Sequence, residues 1–136
     1  PRNAAGFAAL LKKSEGPAHH CYLASTEDGE LLGCVNISEI VLGSFCSAYL
    51  GYYAFAPHQG KGWMKLALSQ VLTTCFGTLG LHRLEANVQP ENARSIGLVQ
   101  ALGFRHEGFS PQYLKINGAW RDHERYAITA DMWGQA

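Results

Sequence analysis

The sequence has 136 residues, of which 47% are hydrophobic and 16% are charged, a composition typical of one globular domain with a substantial core. Eleven basic residues balance eleven acidic ones, which argues against a general nucleic-acid or membrane-surface binder, since such proteins usually carry a basic excess. We therefore predict a single domain over residues 1–136, with no nucleic-acid or membrane partner.

The chain opens with a short helical pattern, in which Phe7, Leu10 and Leu11 form an apolar stripe that ends at Gly16-Pro17. Because the sequence begins at Pro1 without Met, directly in this pattern, we expect that an N-terminal segment is missing. Three strands are predicted next, separated by turn-forming residues: 20–25, 31–37 and 47–55. The third is apolar or aromatic on both faces, as expected of a central strand.

The second half alternates helix and strand before it ends in a hairpin. Pro57 ends the third strand, and from Gly62 the apolar residues follow a helical period up to a stop at Gly77. A fourth strand is predicted at residues 82–88, and Asn92 is expected to cap a helix that ends at Gly103. The tail reads as a hairpin of residues 108–116 and 119–128 around the turn Asn117-Gly118. This order predicts a mixed α/β (α+β) sheet with helices packed on its faces.

The four cysteines are widely spaced and lie in apolar patterns, so that neither a disulfide framework nor a zinc site is indicated: Cys21, Cys34, Cys46 and Cys75. We therefore expect the protein to be located in the reducing cytoplasm. His19-His20-Cys21 is a poor metal site, because adjacent residues of a strand face opposite ways. We therefore expect no metal.

Residues 52–68 contain the most informative stretch, a strand followed by a tight turn and the start of a helix. The turn reads Gln59-Gly60-Lys61-Gly62-Trp63-Met64, and the helix start leaves backbone N–H groups unpaired at the positive end of the helix dipole, ready to bind an anion. The spacing fits neither a Walker loop nor a dinucleotide fingerprint. On these residues alone, an ordinary strand-to-helix turn is an equally good interpretation.

The surrounding motifs strengthen the functional interpretation. The turn resembles the acetyl-CoA pyrophosphate loop of the GNAT N-acetyltransferases, Gln/Arg-x-x-Gly-x-Gly/Ala, with Gln59 and Gly62 matching and Met64 departing as in the RimJ/RimL branch. Other motifs between about residues 32 and 133 resemble the same branch: Gly33-Cys-Val-Asn36, Gly43-Ser44-Phe45, Asn92-Ala-Arg-Ser95, Leu102-Gly103-Phe104, Glu107-Gly108 and Asn117-Gly-Ala-Trp120-Arg121-Asp122-His123.

The resemblance implies the acyl-CoA N-acyltransferase fold, with a mixed, mostly antiparallel central sheet and first elements that would precede Pro1. It also implies acetyl-CoA as co-substrate and direct attack of an amine on the thioester. The backbone of Ala54 and Phe55 would then pair with the pantetheine arm, and amides of the turn would hold the pyrophosphate: Gln59, Gly60, Lys61, Gly62, Trp63 and Met64. A solvated lysine is the alternative for Lys61.

The helix start at Asn92 and the strand at residues 82–88 supply the catalytic candidates implied by the resemblance. Asn92 would contact the pantetheine arm, and Ser95 would protonate the leaving thiolate, although a simple cap explains both residues equally well. Glu85 lies where some family members carry a base, but its alternating neighbours also fit an exposed strand carboxylate. Many members place a tyrosine acid at the position of Val99 here.

Other titratable and aromatic residues leave further alternatives. His58 and His123 could act as bases near neutral pH, and a surface or turn position is the alternative for each. The aromatic residues of the third strand are predicted to be mostly core, with the alternative that one tyrosine lines the acceptor groove: Tyr49, Tyr52, Tyr53 and Phe55.

The identity of the base bears on the acceptor. A protein α-amine has a pKa of about 7.7–8.0, so freeing it at neutral pH costs below about 1 kcal/mol, whereas a lysine with a pKa of about 10.4 costs about 4 kcal/mol. The lack of an unambiguous base therefore favours an N-terminal acceptor. By resemblance, we predict an enzyme that acetylates a ribosomal protein with N-terminal alanine, as a monomer or homodimer. The alternatives are a small-molecule amine acetyltransferase and a non-catalytic acyl-CoA-binding domain.

Overall fold

The computed structural model describes residues 9–16, 18–55 and 62–134. Their secondary structure, in chain order, is β1 (Ala9–Gly16), β2 (His19–Ser25), β3 (Leu31–Val41), β4 (Ser47–Ala54), α1 (Trp63–Phe76), β5 (Arg83–Val88), α2 (Ala93–Ala101), β6 (Arg105–Ile116), β7 (Ala119–Thr129) and α3 (Ala130–Gly134). Within these residues, no helix has the length and apolar character that crossing a membrane requires.

The strands form one sheet in the order β1-β2-β3-β4-β5-β7-β6. The pair β4–β5 is parallel, and the other neighbouring pairs are antiparallel. The predicted mixed, mostly antiparallel sheet is therefore confirmed, and β4 takes the central position that its sequence predicts. A parallel pair needs a crossover connection, which α1 provides between β4 and β5.

The prediction of a helix at the start of the chain is wrong where the structure describes it. Residues Ala9–Gly16 form β1, which pairs with β2 as an antiparallel hairpin, whereas Phe7 lies outside the described residues. A register shift between Lys12 and Ser14 marks an irregularity in this pairing. Such a bulge disturbs the two-residue alternation by which a strand is recognised, so that a weak helical pattern prevails in the sequence.

Elements with strong local signals lie where the sequence places them. Helix α1 ends at Gly77, and Asn92 caps α2. The turn between β6 and β7 has positive φ at Asn117 (50°) and Gly118 (82°), as a two-residue type I′ turn requires. Helix α3 has no counterpart in the prediction; it is a single short turn at the end of β7.

The main core lies between the helices and one face of the sheet. Leu68 and Leu72 of α1 and Val99 of α2 pack there with inward-facing strand residues such as Val35 and Leu84. The predicted packing of helices against the sheet is therefore confirmed, and α1 and α2 share this one core. The face opposite the helices, called the open face below, carries every second residue of β4.

On the open face, Tyr49 is 39% exposed and Tyr53 is 60% exposed, so the prediction that the aromatic residues of this strand are mostly core is wrong for these two. A central strand is buried on both sides only where a layer packs on each side. Tyrosine tolerates the half-exposed position, because it combines an apolar ring with a polar hydroxyl.

A second, smaller cluster anchors the start of α1. Trp63 is 1% exposed and packs with Ala24, Leu32 and Ala67. The ring fits because Gly33 has no side chain: a Cβ at Gly33 would lie 2.6 Å from Cη2 of Trp63 and 2.3 Å from the carbonyl oxygen of Tyr53. This packing fixes the N-terminus of α1 against the sheet.

Candidate functional site

A cleft opens where the two central strands separate. β4 and β5 pair from Ser47–Arg83 to Tyr49–Glu85, and beyond that point both strands continue without pairing to each other. A cleft of about 780 Å³, a size suited to a small-molecule ligand, lies there, lined by residues 50–54 and 86–89 and by the starts of both long helices. The separated strand edges offer backbone donors and acceptors to an extended ligand.

The N-terminus of α1 forms one end of the cleft. Gly62 precedes the helix with φ 85°, no side chain caps the first turn, and Gly62, Trp63 and Met64 line the cleft. Three further predicted residues, Gln59, Gly60 and Lys61, lie outside the described residues, as does His58.

The N-terminus of α2 lines the same cleft. Oδ1 of Asn92 accepts a hydrogen bond from the backbone N–H of Ser95 at 3.1 Å, which confirms the predicted cap. Asn92 and Ser95 both line the cleft, so a ligand in the cleft could contact them as predicted. The cap and the ligand roles are thus compatible, and the ligand roles stay predictions.

The charges at the two helix starts favour a polyanionic ligand. Lys65 and Arg94 lie in the first turns of α1 and α2 and line the cleft, whereas neither first turn contains an acidic residue. A cation at the positive end of a helix dipole is unfavourable by itself and becomes favourable when an anion binds there. No carboxylate is found among the described residues that line the cleft.

A tyrosine–serine pair faces the cleft from its helix side. The Tyr52 hydroxyl is hydrogen-bonded to Oγ of Ser95, and both residues line the cleft. Burial raises the pKa of Tyr52, against the lowering effect of the hydrogen bond, so the phenol stays protonated near neutral pH. Tyr52 can therefore donate to Ser95, which leaves the Ser95 hydrogen free for an acceptor in the cleft.

The sequence did not indicate this pair, because its members are 43 residues apart. Tyr52 belongs to the aromatic set predicted to be mostly core, with a groove-lining tyrosine as the alternative. It packs against the main core, and it and Tyr53 also line the cleft. Val99, where the resemblance implies a tyrosine acid, is fully buried in the main core. In this chain the tyrosine hydroxyl next to Ser95 comes from a strand.

Two predicted residues lie apart from the cleft lining. The N–H of Phe55 donates to the carbonyl of Leu32 at 2.8 Å and is thereby occupied, whereas Ala54 does line the cleft. Glu85 is absent from the lining, and its Oε2 accepts a hydrogen bond from Nε of Arg83 at 3.3 Å. His123, in contrast, lies in the lining. Among the described residues, no group of His, Cys, Asp and Glu side chains could hold a metal ion.

The comparison with known proteins identifies the family. A family model described as an acetyltransferase (GNAT) domain matches residues 1–105. The chain belongs to the GNAT acetyltransferase family. The predicted family and its acyl-CoA N-acyltransferase fold are confirmed, and GNAT enzymes use acetyl-CoA as co-substrate.

Two relatives illustrate the range of acceptors. The chain is 40% identical over 119 residues to the [ribosomal protein uS5]-alanine N-acetyltransferase of Escherichia coli, covering 88% of this chain and 61% of the relative. It is 34% identical over 111 residues to the spermidine N(1)-acetyltransferase of Vibrio cholerae, covering 82% of this chain and 64% of the relative. The chain thus spans about three fifths of the length of these curated relatives.

Solved structures show the same two relationships. Mycobacterium smegmatis RimJ in complex with CoA-disulfide superposes with a TM-score of 0.79 at 38% identity, covering 84% of this chain and 54% of that one. A spermidine N-acetyltransferase SpeG variant from Vibrio cholerae superposes with a TM-score of 0.80 at 27% identity, covering 88% of this chain and 70% of that one. The fold is therefore common to relatives with different acceptors and does not by itself identify the acceptor of this chain.

Proposed function

We propose that this protein transfers the acetyl group of acetyl-CoA to the N-terminal α-amine of a protein, with a ribosomal protein that begins with alanine as the acceptor. The observation that carries the proposal is the cleft between β4 and β5, which combines free strand edges with two helix starts bearing Lys65 and Arg94. Free strand edges suit the amide-containing pantetheine arm, and the cationic helix starts suit the phosphates of the co-substrate.

The charge of the cleft favours a protein N-terminus over a polyamine. A polyamine carries several ammonium groups, and its recognition requires carboxylates or comparable acceptors near each of them. The described lining residues include two cations and no carboxylate. A single α-amine on a peptide backbone requires only one acceptor position, and its low pKa makes it easy to deprotonate.

Ser95 and Tyr52 are proposed to supply the proton that the departing thiolate takes up. The amine nitrogen attacks the thioester carbon, and the tetrahedral intermediate then breaks its C–S bond. The thiolate takes the hydrogen of Ser95 Oγ, and Ser95 recovers a proton from the Tyr52 hydroxyl to which it is bonded. General-acid assistance of this kind contributes about 100-fold to 10,000-fold in rate.

An acceptor panel tests the proposed reaction. The purified protein is incubated with acetyl-CoA and an alanine-starting peptide, the same peptide with a blocked N-terminus and an internal lysine, or spermidine, and the products are located by mass spectrometry. We expect acetylation of the α-amine of the first peptide. Turnover confined to spermidine would refute a protein acceptor, and CoA binding without any turnover would leave a non-catalytic binding domain.

A pair of glycine variants tests where the co-substrate binds. Gly62→Val places a β-branched residue at φ 85° beside the cleft, and Gly43→Val places one at φ 74° in a turn outside the cleft lining. Both variants carry similar backbone strain. We expect the affinity for CoA, measured by calorimetry, to fall at least about 10-fold in Gly62→Val only. Equal affinities in the two variants would contradict the placement of the phosphates at α1.

A double-mutant cycle tests the tyrosine–serine pair. Ser95→Ala should lower kcat by about 100-fold, and Tyr52→Phe by less, because Ser95 keeps its own hydroxyl. Adding Tyr52→Phe to Ser95→Ala should have little further effect, since the two residues act as one unit. Full additivity of the two losses would contradict a shared role.

A further inference from the structure

His123 is a buried histidine in the lining of the cleft. It is only 3% exposed, and Nδ1 lies 3.0 Å from the backbone carbonyl oxygen of Arg121. A carbonyl can only accept a hydrogen bond, so Nδ1 carries the hydrogen. In the neutral imidazole, Nε2 is then left with its lone pair as a proton acceptor.

Asn87 provides a second acceptor in the same lining. Its Oδ1 is buried and has no hydrogen-bond partner among the described residues. A buried carbonyl oxygen without a partner costs about 1–3 kcal/mol, and most such atoms in proteins are paired. The oxygen therefore fits a position that a ligand's N–H group completes.

The two residues lie on the open face, across neighbouring strands. Ala86 and Val88 of β5 face the main core, so Asn87 between them points the other way. Asn87 is opposite Arg125 on β7, and His123 lies two residues from Arg125 on the same strand face. Residues in this diagonal relation have Cα atoms about 7–8 Å apart, close enough for both side chains to reach one small group.

We propose that Asn87 and His123 form the amine subsite of the cleft, with Oδ1 of Asn87 accepting a hydrogen bond from the substrate ammonium and Nε2 of His123 taking its proton. This inference rests on the proposed acetyl transfer. It assigns the base to His123 instead of Glu85, whose carboxylate is paired with Arg83 outside the lining. The amine then lies on the open side of the cleft and the thiolate acid, Ser95, on the helix side.

The proton balance of this arrangement is complete. The ammonium has three protons, and His123 takes the first and passes it to solvent. The free lone pair forms the N–C bond at the thioester carbon. When the intermediate breaks its C–S bond, the nitrogen loses its second proton to solvent by way of His123, and the thiolate gains one from Ser95. The Ser95–Tyr52 pair then recovers one proton from solvent. The third proton stays on the amide product, so the net change is one proton released.

Several titratable groups share the face of the sheet on which His123 lies. Tyr113 of β6 packs its ring at 6.2 Å from the imidazole, measured between centroids. Arg121 and Arg125 flank His123 on β7, and Glu85 of β5 and the exposed tyrosines of β4 share the same face. A pH profile assigned to His123 must therefore be compared with that of a Glu85 variant.

Kinetics with the alanine-starting peptide test the assignment. His123→Gln keeps a polar side chain without a base, and we expect kcat/KM at pH 7 to fall about 100-fold with unchanged CoA affinity. The deficit should shrink near pH 9, where the α-amine is already free. His106→Gln is the matched control, because His106 lies on the same hairpin, pairs with Glu124 at 2.7 Å and is outside the lining. If Glu85→Gln removed the decline of kcat/KM at low pH while His123→Gln left that decline unchanged, the proposal would be wrong.

Asn87 variants separate binding from proton transfer. Asn87→Leu should raise KM for the peptide about 10-fold while kcat changes less, and Asn87→Asp should retain much of the affinity because it keeps an acceptor oxygen. A merely structural role would lower the unfolding midpoint of both variants and would not distinguish leucine from aspartate. Equal KM values in the two variants would therefore contradict the subsite.

Binding can also be followed without turnover. In NMR spectra of the wild-type protein with labelled histidine, the His123 ring signals should move on addition of the alanine-starting peptide and stay in place with the N-acetylated peptide. Spermidine is added separately, so that an enzyme whose acceptor is a polyamine is also recognised. If the peptide is bound in this way but never acetylated, the proposed function fails and the amine subsite stands. If neither amine moves the His123 signals, the subsite proposal is wrong whatever the enzyme acetylates.

Discussion

Replacing Gly33 with alanine tests whether close packing against β3 holds the start of α1 in place. The added Cβ would lie 2.3 Å from the carbonyl oxygen of Tyr53, 2.6 Å from Cη2 of Trp63 and 3.0 Å from Cα of Ala54. Ordinary contacts between such atoms are about 3.5–4.0 Å, so β4 and the Trp63 ring would both have to move by about 1 Å. Two of the three contacts are with backbone, which cannot rotate away.

The loss of stability expected for Gly33→Ala depends on how little space surrounds the Trp63 ring. Trp63 is 1% exposed and enclosed by Ala24, Leu32 and Ala67, so an outward shift would disturb the small cluster. Overpacking of this kind costs about 1–3 kcal/mol, a large share of the 5–15 kcal/mol by which domains are usually stable. Since Trp63 is the first residue of α1, the shift would also displace the amides proposed to bind phosphate. We therefore expect weaker CoA binding as well.

Urea unfolding followed by circular dichroism measures the free energy of unfolding of the variant. Gly51→Ala is the control for stability, because a Cβ on Gly51 of the neighbouring strand would contact nothing within 4 Å. We expect Gly51→Ala to raise the free energy of unfolding by up to about 1 kcal/mol, because alanine replaces glycine in a strand without a clash, and Gly33→Ala to lower it by at least about 1 kcal/mol. Equal values for the two variants would refute the close approach of Trp63 to β3.

Three further predictions concern stability and reactivity. Gly97→Ala, at an exposed position within α2 where a Cβ meets nothing within 4 Å, should raise the free energy of unfolding by about 0.5–1 kcal/mol in urea titrations. Burial raises the pKa of Cys75 to about 12, so in the native protein a thiol reagent should modify the three half-buried cysteines and spare Cys75 until urea is added. Arg83 lowers the pKa of Glu107 through a bidentate hydrogen bond, so this carboxylate stabilises the fold above its unfolded pKa, and its contribution is lost as the pH falls through the lower, folded pKa. Glu107→Gln should flatten that acid-side decline in thermal melts, and an unchanged decline would contradict the pairing.

The features that the sequence determined by itself depend on neighbours in the chain. The helical period after Gly62, the Asn92 cap and the Asn117-Gly118 turn each involve residues within one or two turns of one another, so their physics is complete in a short segment. The family could likewise be predicted, because its motifs are short and occur in a fixed order. These local features were enough to predict the sheet, the two long helices and the binding of acetyl-CoA.

The tertiary structure decided which residues can act together. The separation of β4 from β5 depends on where their pairing stops, and the contact between Tyr52 and Ser95 joins a strand to a helix 43 residues away. The burial of Trp63 likewise requires a glycine on another strand. Sequence reasoning placed β1 in a helix for a related reason, since its strand state is imposed by pairing with β2. Local propensities are worth less than a kilocalorie per residue, so pairing and packing between distant segments decide such positions.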